Sequence, residues 1–127
     1  MAEKVNLASF VKKLQRAMNK PAQRLSRTVE IGAFEEAVVL ESVLEEELTS
    51  IDEQLPPLEQ DRKLVYFGSP TIREAAGRLL ELRAIDDPMD IFKAISRADM
   101  AAMAKIVGEL TTKAMQPTVK ELEEVKN

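Results

Sequence analysis

Phe10, Phe34, Tyr66, Phe67 and Phe92 are all the aromatic side chains that this 127-residue chain can offer a hydrophobic core, and there is no Trp and no Cys. Any core must therefore be closed by Leu, Ile, Val, Ala and Met. Those residues recur mostly at spacings of three and four, the period of a helix that buries one stripe. Aromatic and β-branched runs, which a sandwich or barrel would need, are scarce. The expectation is an all-α fold: a basic N-terminal helix–Pro–helix arm followed by an antiparallel bundle of about four helices.

The helix boundaries can be read from caps and breakers. Asn6 can cap a first helix whose apolar positions are Leu7, Phe10, Val11, Leu14 and Met18. The residue before Pro21 disfavours the α region, so this helix should end near Asn19–Lys20. Pro21 suits the first turn of a second helix, expected from Pro21 to about Thr49. Gly32 should bend it between Thr28 and Ala33. Beyond the bend, Phe34, Ala37, Val38, Leu44, Leu48 and Ile51 keep a helical period, widened by Val39, Leu40 and Val43. Ser50–Glu53 has capping-box spacing, and Pro56–Pro57 ends that turn. Leu58–Phe67 reads as a shorter helix, and its Leu64–Phe67 portion is the one candidate strand. Gly68-Ser69-Pro70 and Asp87-Pro88 are stop-and-start signals. They open a helix to about Ala84 and another carrying Ile91, Phe92 and Ile95. Ser96 or Asp99 starts a long final helix with Met100, Met103, Ile106, Val107 and Leu110, closed by Pro117. Thr118–Glu121 is a last capping box before a charged tail. Met100, Met103 and Met115 read as core filling rather than a binding groove.

Charge divides the chain sharply. Residues 1–29 hold Lys4, Lys12, Lys13, Arg16, Lys20, Arg24 and Arg27 against one acid, Glu3, a net charge of +6. The whole chain carries −4, which leaves −10 for residues 30–127. The expected organisation is a nucleic-acid-binding arm over 1–29 and a bundle for assembly over 30–127. The seven cations of the arm are the candidate binding residues. On a helix they would neutralise backbone phosphates without reading sequence. With Phe10 as its one aromatic, the arm suits duplex backbone better than stacking of unpaired bases. An anionic membrane, a protein partner or an ordinary solvated face are the other readings of a basic amphipathic helix.

No catalytic constellation is present. There is no His to serve as general base or zinc ligand, and no Cys thiolate. Glu41 and Glu45 are four apart on the expected helix, but a bundle di-metal site also needs Glu-x-x-His. The run Glu41, Glu45, Glu46 and Glu47 therefore reads as a solvated face. No apolar run approaches the length of a membrane span, and the start Met1-Ala2-Glu3-Lys4 has no apolar signal segment. The expectation is a cytoplasmically made protein that is not an enzyme and uses no cofactor, metal or small-molecule substrate.

A basic helix–Pro–helix arm around Pro21, carrying Lys12, Lys13, Arg16, Lys20, Arg24 and Arg27, joined to an acidic aliphatic bundle, resembles a known layout. It is similar to the major coat proteins of filamentous archaeal double-stranded DNA viruses, of the rudivirus, lipothrixvirus and tristromavirus type. That resemblance implies a capsid protein of a virion. Its arm would wrap linear double-stranded DNA, held in the A-form, and its bundle would pack into the wall of a helical nucleocapsid. It also implies pairing of subunits, with a second copy or a related coat protein. The rival expectation is a small helical regulator or adaptor whose basic N-terminal helix binds a partner.

Overall fold

The computed structural model describes residues 5–21 and 23–121. They form five α-helices, one 3-10 helix and a two-stranded antiparallel sheet. The fold is therefore mixed α and β, not all-α. Residues 24–116 make one compact unit, and the N-terminal helix belongs to the other.

Helix α1 spans Leu7–Asn19. Asn6 caps it, its side chain accepting from the Ser9 N–H at 3.0 Å. It ends one residue ahead of Lys20-Pro21, where the pre-proline restriction stops it.

The expected second helix does not form. Its residues make a hairpin of β1 (Ser26–Ile31) and β2 (Glu36–Glu41), with Val29 opposite Val38 and Ile31 opposite Glu36. Helix-like spacing gave way because Val29 and Ile31 of β1 and Val38 and Leu40 of β2 share the pleat face that meets the helices. Gly32–Glu35 turn the chain, with the Phe34 N–H donating to Ile31 O at 3.0 Å. Glu35 takes the left-handed position, φ 53°, that the reversal requires.

A two-stranded hairpin is marginal alone, and here β2 is pinned along its second edge by side-chain hydroxyls. The Val39 N–H donates to Thr71 Oγ1 at 3.0 Å, and Ser69 Oγ donates to Val39 O at 2.8 Å. Just past the strand, the Val43 N–H donates to Thr111 Oγ1 at 3.0 Å, and that hydroxyl donates onward to Val107 O at 2.8 Å. Ser42, Ser69 and Thr111 are buried, yet no buried side-chain polar atom among the described residues lacks a partner.

The remaining elements follow the caps. Helix α2 (Glu45–Ser50) is short, and the residues after it, 51–55, stay in turns rather than restarting a helix. Helix α3 (Pro57–Gly68) contains Leu64–Phe67, so that segment is helical rather than a strand. Ser69 caps α4 (Pro70–Glu81) through the Ile72 N–H. Asp87 opens the 3-10 helix Pro88–Lys93, and Ser96 caps α5 (Arg97–Ala114). The expected Thr118–Glu121 cap leads into residues 122–127, which lie outside the described residues.

The core lies where α3, α4, α5 and the 3-10 helix meet the hairpin. Leu40, Val65, Ala76, Phe92, Met100 and Val107 are buried there. Met100 and Met103 fill core as expected, whereas Met115 is 45% exposed. Gly68 makes the tightest crossing. A Cβ at that position would sit 2.5 Å from Val107 Cγ1 and 3.0 Å from Glu41 O. Alanine normally favours a helix over glycine by about 1 kcal/mol. Here overpacking wins, and Gly68→Ala should destabilise the body by about 1–3 kcal/mol, read as a lower urea midpoint. An unchanged or raised midpoint would contradict this packing.

Candidate interaction surfaces on the N-terminal helix and the body

Helix α1 has no buried residue. At 100° per residue, Leu7, Phe10, Val11, Leu14 and Met18 fall on one side, and Lys12, Lys13 and Arg16 on the other. Lys20, at the C-cap, continues the basic side. The apolar side chains are between 43% and 82% exposed. The polar side carries no acid between Leu7 and Lys20. Among the described residues, Lys12, Lys13, Arg16 and Lys20 form no ion pair.

The seven cations expected to act together are thus divided. Lys12, Lys13, Arg16 and Lys20 share α1 and its cap. Lys4 lies outside the described residues. Arg24 and Arg27 belong to the body, Arg27 as an exposed residue of β1 paired with Leu40. Arg24 is half-buried and already occupied. Its guanidinium donates to Glu47 Oε1 at 2.7 Å and to Ser42 O at 3.3 Å, and lies 3.9 Å from Glu41. Arg73 adds a second cation to Glu41 at 3.8 Å.

This hub is what the sequence reading missed. Glu41 and Glu47 do not share a helix face: one ends β2, and the other is the third residue of α2. Glu47 also reaches back to accept from the Leu44 N–H at 2.8 Å, closing the start of α2. Burial by itself pushes the Glu47 carboxyl up. The hydrogen bond from Arg24, the Leu44 N–H and the charges of Arg24 and Arg73 outweigh it and hold the group below its ordinary 4.5. The same bond to Glu47 holds the Arg24 guanidinium above its ordinary value. No local signal marked this hub, because Arg24 meets both acids only once the intervening residues form the hairpin.

A carboxyl held down in the folded state adds stability above its ordinary pKa, and that contribution is lost as pH falls through the folded value. Glu47→Gln should therefore cost about 1–2 kcal/mol at neutral pH, allowing for partial exposure of the pair. In denaturant titrations the gap between wild type and variant should close as the solution is acidified through the carboxylate range. A gap independent of pH would contradict a charged Glu47–Arg24 pair.

Two of the body's concavities differ in character. One, about 720 Å³, lies between α2 and α3 and is partly lined by Asp52, Glu53 and Asp61. It contains no nucleophile–base pair, and no cluster of three or more metal-ligating side chains occurs among the described residues. The other is an open apolar groove of about 410 Å³ between the hairpin, α4 and the 3-10 helix. Among the described residues, no helix is long and apolar enough to cross a membrane. No protein-family model, curated protein or solved structure matches this chain.

Proposed function

We propose that this protein is a non-enzymatic adaptor, a small body that presents α1 as a docking helix for a protein partner. One observation carries the reading: five large apolar side chains, from Leu7 to Met18, lie uncovered on one side of a capped helix. A helix of this pattern laid in an apolar groove is a recurrent mode of peptide recognition, anchored at positions three, four and seven apart. Water contact along such a stripe costs free energy that a groove removes. The opposite basic side then supplies orientation and a faster encounter with an acidic surface.

That basic side also favours a second reading. Lys12, Lys13, Arg16 and Lys20 form an acid-free face suited to phosphate contact without base readout. On this reading the chain coats linear double-stranded DNA, as the resemblance to filamentous-virus coat proteins implies. The apolar side would then meet a neighbouring or related coat subunit. Arg24 contributes little to such contact, because releasing it would break its bonds to Glu47 and Ser42.

The two sides of α1 separate the readings experimentally. A photoreactive residue is placed at Leu14 or at Arg16 in cells that naturally make the protein. The adaptor reading expects protein adducts from Leu14, with few adducts of any kind from Arg16. Nucleic-acid adducts from Arg16 would establish the coat reading instead, and lipid adducts from Leu14 would contradict both.

A further inference from the structure

We infer that the partner of α1 is a second copy of this chain, and that the helix of one copy seats in the apolar groove of the next. This rests on the adaptor reading and names its partner. The groove's floor and walls come from Ile31, Val38, Ile72, Ala75 and Ile91, and its lip is Phe34, which is 48% exposed at the hairpin turn. Its lining is almost wholly apolar, as the floor for a helix stripe must be.

Charge selects the occupant. Glu36 lines the groove, and Glu35 precedes it in the hairpin turn. Among the described residues neither is ion-paired. The cations on the groove's helices are already engaged: Arg73 with Glu41, Arg78 with Glu74 at 3.1 Å, and Lys93 with Asp90 at 3.2 Å. The rim therefore presents uncompensated negative charge around an apolar floor. Helix α1 presents the complement, an apolar stripe with Lys13 and Lys20 nearest its Phe10 edge, Lys12 further round from Val11, and Arg16 opposite. One chain thus carries an uncovered apolar helix and an uncovered apolar groove, with opposite charges around them.

Helix and groove are different surfaces, so two copies either exchange helices reciprocally in a closed two-fold dimer or join head-to-tail into rings or open chains. That geometry yields a sharp test with the full-length protein. Leu14→Glu spoils the helix and leaves the groove, and Phe34→Lys spoils the exposed lip and leaves the helix. Ala75→Arg serves as a second groove variant, and circular dichroism checks that all are folded.

In sedimentation velocity the wild type should associate to dimer or larger with concentration and dissociate as salt is raised. Each variant alone should stay monomeric. An equimolar mixture of Leu14→Glu with either groove variant should form a dimer and stop there, since one good helix meets one good groove. A wild type that is monomeric at every concentration, variants that still associate, or a mixture that stays monomeric would each overturn the proposal. A monomeric wild type with protected α1 amides would mean that the helix seats in its own chain. A monomeric wild type together with Leu14 adducts to a different protein would leave the adaptor reading standing and remove this one. A monomeric wild type with no Leu14 protein adducts would remove both.

Discussion

The second edge of β2 decides how the rest of the body can be arranged. A hairpin has two open edges, and its backbone groups must find partners once buried. The body supplies no third strand. It aims three hydroxyls at β2 and the residues just beyond it: Thr71 to the Val39 N–H, Ser69 to the Val39 carbonyl and Thr111 to the Val43 N–H. The start of α4 and the end of α5 are thereby fixed to the strand. The turn between α3 and α4 must also lie close, which leaves no room for a side chain at Gly68. Ser69 fills three roles at once, as cap of α4, as donor to the strand and as a fully buried corner residue.

That arrangement also sets where the folded body begins. Leu25 pairs with Ser42 through both its backbone groups, its N–H reaching the Ser42 hydroxyl at 2.9 Å and its carbonyl accepting from the Ser42 N–H at 2.8 Å. Arg24 then turns onto Glu47 and Glu41. The basic N-terminal stretch is thus not uniform in use. Its last two cations belong to the body, and the four from Lys12 to Lys20 lie on α1 and its cap. The stripe of exposed apolar residues on the other side of α1 is why contact with protein is the reading proposed for it.

Much of this was legible along the chain. Asn6, Ser69, Asp87 and Ser96 each cap a helical element, and Pro21, Pro70 and Pro88 mark boundaries, because caps and prolines act within a few residues. The amphipathic face of α1 could be counted directly. The hairpin could not, for three physical reasons. Its turn, Gly32-Ala33-Phe34-Glu35, lacks the Asn-Gly or Asp-Gly signature, and an unusual residue, Glu35, holds the left-handed position. The run Val38-Val39-Leu40 satisfies a wide helical face as readily as a strand. The hydroxyls that hold β2 lie 30, 32 and 68 residues away in sequence, beyond any local pattern. The partners of Arg24 were hidden for the same reason, since they adjoin it only after the hairpin folds.

Amide hydrogen exchange at Val39 and Val43 tests this dependence most directly. In the wild type both amides should be strongly protected, although a side-chain hydroxyl rather than a strand accepts from each. Thr111→Val keeps the shape but removes the acceptor for the Val43 N–H. Its Val43 amide should exchange much faster while Val39, bonded to Thr71, keeps its protection at low denaturant. Equal protection of Val43 in both proteins would contradict a body held together at the edge of β2.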